Sequence, residues 1–566
     1  MNAEDEYVFG SKVIGKFFGD TKFPVEWSNE DEKKLHWWFD DLHCPHPLSF
    51  MYENIGVTAS WNVRYAFRRF RFPQSKDWIQ KLFNRYLHTA LIPREPEEAK
   101  RYEAYYNMIF PVYIKKFPEW WKTRYEPELK RNLDYLDNFD YEKASLAELM
   151  VLLEDALDIN DRHWEIHWIL NFAQFFSFIR FRQVYAEIFG EIKEEDEEEI
   201  QKMLTSFEDK NWDAIKHLWL MKERVKASPN LTNIFKRENA KEILEALNKD
   251  SEGKEFMLEF EEFLKEFGAK AIYAHEYIYP TWRDEPSAVI ELIRTYLIMD
   301  YNFYEHFYRL KNVRDEAIKK MFDREMKEEQ RKKLSEALND ALTLAPLTPN
   351  HHFYIDQGTN ARMRQVFLEI GKKLVKENVI DKPEDIFFLY YEELRDIASN
   401  PNFLNAKVLI ERRRKEWEEA HKLIPPPFLG TVTEWSAKEE AWKVGLWGWQ
   451  LPEPTKKVKE DLLHGLAASP GVVEGIARVV VSVEEFDKVK PGDILVCDMT
   501  NPAWVPLFPK IKGLVTDSGG LLSHPAITAR EFRIPAVIGT AMATKKVKSG
   551  QRIRVDGSKG IVEILK

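Results

Sequence analysis

The chain has 566 residues, 44% hydrophobic and 31% charged, the composition of a folded globular protein too long for one core. Its net charge of -11 gives no general reason to bind nucleic acid, whose phosphates call for a basic face. The acidic start Met1-Asn-Ala-Glu-Asp-Glu-Tyr7 is unlike a secretory signal or transit peptide, and no apolar run is long enough to span a bilayer. With only Cys44 and Cys497, far apart, there is neither a disulfide framework nor a cysteine metal cluster, and a reducing cytoplasm is the expected setting.

In chain order, the first part reads as helical. Ala147 to Ala186 lacks Pro and Gly and carries Leu149, Leu152, Leu153 and Leu157 at helical spacing. The stretches 238–247, 255–267, 287–302, 312–344, 363–377 and 384–398 behave alike, with prolines at 280, 346, 349 and 383 as breaks. Ile424-Pro-Pro-Pro-Phe428 and Leu451-Pro-Glu-Pro-Thr455 then read as a stiff linker between moving parts.

Beyond it the composition changes. Eleven of the 23 glycines lie between Gly465 and Gly560, whereas Trp504 alone of the 18 tryptophans falls in this stretch. Short β-rich runs at 476–482, 493–497, 513–516, 536–538, 552–555 and 560–565 alternate with turns, and 525–532 reads as a short helix. The expected fold class is multidomain: a large, mostly α-helical region over 1–423, of one or two subdomains, a linker over 424–460, and a compact α/β domain over 461–566.

The most informative segment is Thr516-Asp-Ser-Gly-Gly-Leu-Leu-Ser-His-Pro-Ala-Ile-Thr-Ala-Arg-Glu531. Gly519 and Gly520 permit a tight turn after a strand. Ser523 is a good N-cap type and Pro525 suits the first helical turn. His524 is thereby expected at a helix N-terminus, where unpaired N–H groups and the dipole favour an anion and keep the imidazole neutral and nucleophilic.

This segment, together with 463–479, 491–496, 499–504, 534–539 and 555–557, resembles the swivelling phosphohistidine domain of the phosphoenolpyruvate-utilising enzymes. The resemblance implies that His524 is phosphorylated and that the domain swings to deliver the group. Gly519, Gly520, Ser523 and Arg530 are expected to support the phosphate. Upstream, Phe267-Gly-Ala-Lys270, Tyr279-Pro-Thr-Trp-Arg-Asp-Glu-Pro-Ser287, His351-His-Phe-Tyr-Ile-Asp-Gln357 and Ile380–Leu389 resemble the acceptor region of rifampicin phosphotransferase-like proteins. Ala269 and Lys270 depart from that pattern, where the family often has His and Arg, which implies an altered pocket.

Neither the α/β barrel of the pyruvate-using members, about 250 residues, nor a Gly-rich nucleotide loop is seen in the sequence. The layout is similar to the larger subunit of phenylphosphate synthase and related hydroxyphenone kinases. It implies transfer of phosphoryl from His524 to a phenolic hydroxyl (phenol + ATP + water → aryl phosphate + AMP + phosphate). ATP and Mg²⁺ are expected on a separate ATP-grasp subunit, and no nucleic-acid or membrane partner is expected. The alternatives are an antibiotic or other non-phenolic hydroxyl as acceptor, or a non-catalytic docking relative.

On the acceptor side, His351 is the first candidate base because it lies in a matched motif. His163 and His167, at i and i+4 on one helix face among Trp164, Trp168, Phe172, Phe175 and Phe176, either line an aromatic pocket or belong to the core. His275 and Glu276 are further candidates. No metal is expected: His163-x-x-x-His167 lacks the zinc-protease Glu, and His43-Cys-Pro-His46 reads as a turn.

Overall fold

The computed structural model describes residues 23–566 except 42, 61–62, 205–208, 238, 272, 299–300, 424, 427, 432, 434, 437–460, 482, 501–503, 520–523, 541 and 566. It is multidomain, with a large helical region ahead of an α/β domain. Gly520 and Ser523, expected to support the phosphate, most of the expected linker, and the side chains of His524 and Glu531 lie outside the described residues.

The helical region begins with a small antiparallel sheet. Strands β1 (His36–Phe39), β2 (Ser75–Phe83), β3 (Tyr86–Pro93) and β4 (Phe428–Gly430) run in the order β2-β3-β1-β4. Phe428, expected in the tether, instead pairs with Trp38. The chain thus returns to its own beginning before the expected linker is spent. β1 is buried along its whole length, so no alternation marked it as a strand.

Helices build the rest. α1 (Pro96–Trp120) leads towards α2 (Leu146–Phe189), the 44-residue axis of the region. Ser145 caps α2: its hydroxyl accepts from the Glu148 N–H, and the Glu148 carboxylate accepts from the Ser145 N–H at 2.8 Å. Nothing in the next 44 residues breaks the helix, and Gly190, at φ 89°, ends it. Leu149, Leu152 and Leu153 point into the main core, shared with Met363, Phe367 and Ile370.

α3 (Lys210–Ala227), α4 (Ser251–Phe267) and α5 (Pro286–Ile298) form a second layer. The stretch expected as one helix over 312–344 is two, α6 (Phe303–Phe322) and α7 (Glu328–Leu344), broken where no Pro or Gly signalled it. The stretch 384–398 is likewise a 3-10 turn, Pro383–Phe388, then a helix, Tyr391–Ser399. α8 (Leu347–His352) runs straight into a π-helical segment, Phe353–Thr359, and then α9 (Asn360–Lys376).

The α/β domain is one eight-stranded sheet: β5 (Leu462–His464), β6 (Leu466–Ser469), β7 (Val472–Val479), β8 (Ile494–Cys497), β9 (Gly513–Thr516), β10 (Ala536–Ile538), β11 (Arg552–Asp556) and β12 (Ile561–Ile564). The order is β5-β12-β11-β7-β8-β9-β10-β6, with β7 through β10 parallel and the rest antiparallel. α10 (His524–Glu531) follows β9, one residue ahead of the expected start.

The two regions share an apolar core. Val289, Ile290 and Ile293 of α5 belong to one cluster with Trp504, Leu507 and Phe508. The 3-10 turns at Val483–Lys488 and Val505–Lys510 pack on α5. His306 of α6 lies over Phe532, ring centroids 4.5 Å apart. Among the described residues, no helix is long and apolar enough to cross a membrane.

Gly557 shows how tightly the sheet is drawn. Its N–H donates to the Gly471 carbonyl at 2.8 Å, and a Cβ there would collide with the Ser469 carbonyl oxygen and the Ala536 amide of β6 and β10. Gly557→Ala is expected to destabilise the α/β domain by about 1–3 kcal/mol, read as a lower denaturant midpoint for that domain.

Candidate functional site

α2 packs against the π-helical segment, and two of its histidines face it one turn apart. His163 is fully buried, with Nδ1 2.7 Å from Thr359 Oγ1 and Nε2 3.1 Å from Asn132 Nδ2. Burial, with Arg162 and Arg362 nearby, pushes its pKa down to about 3, so it is a neutral structural pin rather than a base. His167, one turn on, reaches Asp356 instead, Nδ1 to Oδ2 3.1 Å.

Asp356 is the centre of the site. It is buried on the π-helical turn, and its second oxygen, Oδ1, lies 3.2 Å from His275 Nε2. Burial alone would raise its carboxyl, but the imidazoles of His352 and His167, with hydrogen bonds from His167 and His275, hold it well below the usual carboxylate range. His351 Nε2 lies 3.1 Å from His167 Nδ1, and His351 Nδ1 donates to the Leu347 carbonyl at 3.2 Å. Donor atoms of His167, His351, His352 and Asp356 all lie within 4.8 Å of one another. Burial lowers the pKa of His351, and that of His352 to about 4.

Only part of this is legible in the sequence. The structure brings His167, His275 and His351 together. His351, the first candidate base, has both ring nitrogens engaged inside the cluster. Glu276 holds Ser49: Oε2 accepts from the Ser49 N–H and Oε1 from the Ser49 hydroxyl, both at 2.6 Å, which anchors the segment ahead of residue 50. His352 and Asp356 were missed, although His351-His-x-x-x-Asp356 is a donor-rich run that a search for ligand spacing could have marked. Lys270 is buried between Asn211 Oδ1, at 3.1 Å, and Gln357 Oε1, at 3.3 Å; burial, opposed by Asp209, pushes its pKa down to about 7.

From the cluster a line of side chains leads to the α/β domain. The His43 and His275 rings are 5.0 Å apart, and His43 Nδ1 is 2.9 Å from Asp40 Oδ1. Burial lowers the His43 pKa, but the charge and hydrogen bond of Asp40 more than offset this and raise it. Cys44 Sγ sits 4.0 Å from the His275 carbonyl, so the expected turn is a packed one. Three residues after His43, His46 Nε2 lies 3.3 Å from Asp498 Oδ2, and the Tyr273 hydroxyl donates to the same oxygen at 3.3 Å.

Asp498 follows β8, and Asp517 follows β9, at the carboxyl ends of the parallel strands. α10 also starts at this edge, seven residues after Asp517. Gly519, at φ 110°, takes the left-handed conformation that the turn requires. Arg530 Nε donates to the Ala468 carbonyl at 2.6 Å, tying α10 to β6.

The Asp517 carboxylate accepts from the Thr544 hydroxyl, and from the Thr544 N–H and the Thr540 hydroxyl, both at 3.2 Å. Burial, reinforced by Asp498, raises its pKa from 3.8 to about 7. The folded chain therefore holds this proton more tightly than the unfolded one. Stability is lost as pH rises from 3.8 towards about 7 and stays level above. Asp517→Asn removes the ionisation. Its thermal midpoint relative to the parent is expected to climb by a few degrees between about pH 5 and about pH 8. A difference independent of pH would contradict the raised carboxyl.

Comparison with known proteins follows the same division. Residues 489–560 match the PEP-utilising enzyme mobile domain, and residues 167–348 match the rifampicin phosphotransferase fourth domain. The chain is 33% identical over 402 residues to an uncharacterised phosphotransferase, YvkC, of Bacillus subtilis (strain 168), covering 71% of this chain and 47% of that protein. It is 32% identical over 319 residues to rifampicin phosphotransferase of Bacillus cereus, covering 54% and 34%. It is 30% identical over 356 residues to the prodigiosin synthesizing transferase PigC of Serratia marcescens, covering 60% and 37%. The chain thus spans less than half the length of each of these curated relatives. The chain thus carries a mobile domain of the PEP-utilising enzyme type after a rifampicin phosphotransferase-type helical region.

Proposed function

We propose that this chain carries a phosphoryl group on His524 and transfers it to a hydroxyl bound in its own helical region, as part of an ATP-dependent dikinase-type phosphotransferase. The observation that carries this reading is the contact of Asp498 with His46 and Tyr273. That contact turns the edge from which α10 starts towards the histidine cluster. In the transfer, the P–N bond to His524 breaks with its electron pair returning to the imidazole, and a P–O bond to the acceptor forms. The hydroxyl proton passes to an imidazole held by a carboxylate, His275 on Asp356 or His43 on Asp40. Gly519 shapes the turn ahead of the histidine.

The acceptor is proposed to be a phenol. Trp164 lies 5.5 Å from the His275 ring, and Tyr273 4.5 Å from the His46 ring, so both imidazoles stand against aromatic walls. The overall reaction is phenol + ATP + water → aryl phosphate + AMP + phosphate. By the resemblance in layout to phenylphosphate synthase, ATP and Mg²⁺ are proposed to bind a separate ATP-grasp subunit. A second reading, an antibiotic hydroxyl as acceptor, is favoured by the likeness to rifampicin phosphotransferase.

Phosphoramidate, which phosphorylates imidazole without a nucleotide site, tests the first half on this chain alone. Peptide mapping is expected to place about one acid-labile, alkali-stable phosphate per chain on His524, and His524→Ala should lose that site. Phosphate spread evenly over other histidines would contradict the assignment. Offering phenol, rifampicin and an aliphatic alcohol to the phosphorylated chain then separates the two acceptor readings by which of them is phosphorylated.

A further inference from the structure

We propose that His167, His351, His352 and Asp356 form a binding site for one divalent transition-metal ion of the zinc class. Three atoms converge at its centre. His167 Nδ1 lies 3.1 Å from Asp356 Oδ2 and 3.1 Å from His351 Nε2. His351 Nδ1 faces the Leu347 carbonyl and must carry that ring's proton, so Nε2 presents a lone pair. Two lone-pair atoms therefore converge on one imidazole nitrogen. A single N–H there has to serve both. With a lone pair there instead, three electron-rich atoms face one another and call for a cation.

The spacing suits a cation. Zinc bonds to nitrogen and oxygen of about 2.0–2.1 Å place tetrahedral ligands about 3.3 Å apart. The two central separations are close to that, and the full set lies within 4.8 Å. Three imidazoles and one carboxylate are the donor set of zinc and its neighbours, not of calcium or magnesium, which take oxygen.

The surroundings have the form of a metal site's outer layer. The Leu347 carbonyl fixes the tautomer of His351. His275 Nε2 contacts the second oxygen of Asp356 and so orients the carboxylate. Asn171 lies 2.6 Å from His167 Nε2; its amide turned to present oxygen would accept the proton of that nitrogen and leave Nδ1 to the ion. The π-helical turn has a local purpose too. Its wider winding places Asp356 on the face of both His351 and His352, five and four residues back, as π-segments often do at functional sites. His352, with 36% of its side chain exposed, gives the ion a way in.

Under the proposed transfer, the ion would be a Lewis acid for the acceptor oxygen. That role rests on the reading above, whereas binding itself does not. The test therefore uses no acceptor and no phosphate. The full chain is stripped with EDTA, dialysed, given Zn²⁺ and passed through a desalting column, and bound zinc is measured by mass spectrometry. About one zinc per chain is expected to stay bound. His352→Ala and Asp356→Asn are each expected to weaken binding by at least about 10–100-fold. His352→Ala is the decisive variant, since its ring lies at the edge of the cluster, 36% exposed, and can be removed without opening the core; its metal-free circular dichroism should match the parent. Co²⁺ in place of Zn²⁺ should give a visible d–d absorption that His352→Ala alters. No retained zinc, or zinc retained equally by the parent and His352→Ala, would overturn the site.

Discussion

The arrangement turns on one buried charge, the Asp356 carboxylate. An ion in the interior costs several kcal/mol unless it is paired and hydrogen-bonded. Here one oxygen is met by His167 on α2 and the other by His275 after α4. Removing either leaves that oxygen buried without its partner, so these pieces must assemble together. This gives α2 its unbroken length, since it must carry Leu149 in the core at one end and His167 against the π-helical turn further along. It also accounts for Glu276: by gripping Ser49 it sets the 43–46 segment between the cluster and the α/β domain.

The α/β domain meets this centre through its strand ends. Asp498 contacts both His46 and Tyr273, while Asp517 behind it is held by Thr540 and Thr544. Strand ends in parallel sheets are where loops gather functional groups, and the start of α10 shares that edge. The apolar contact of α5 with Trp504, Leu507 and Phe508 keeps this geometry in place. In a swinging cycle of the proposed kind that contact has to part and re-form. The polar pairs at Asp498 then act as the register that returns the domain to the same position, and the apolar surface supplies the attraction.

Much of this was legible in the sequence where local rules act alone. Pro525 and the β-rich runs marked the start of α10 and the strands ahead of it, and α10 begins within one residue of the expected place. The helix expected from Ala147 to Ala186 runs from Leu146 to Phe189, because a capping box, an uninterrupted apolar face and a terminal glycine all act locally. The small sheet has no local signal because β1, His-Trp-Trp-Phe, is buried on both faces and pairs with residues about 50 and almost 400 positions away. The metal-competent cluster was invisible for the same reason: His167 and Asp356 are 189 residues apart, and only the packing of α2 on the π-helical turn joins them. The break between α6 and α7 had no Pro or Gly to announce it. Tertiary packing, not propensity, decided that boundary.

The central claim is that a phosphoryl group on His524 leaves onto an acceptor held at the Asp356 cluster. A single-turnover experiment addresses it most directly. The parent chain and Asp356→Asn are loaded with phosphoramidate, freed of donor and mixed with phenol, and the phosphorylated mass is followed in time. The account predicts equal loading, rapid discharge to phenyl phosphate in the parent, and discharge slower by about 10²-fold or more in the variant. Equal discharge rates in the two chains would contradict it.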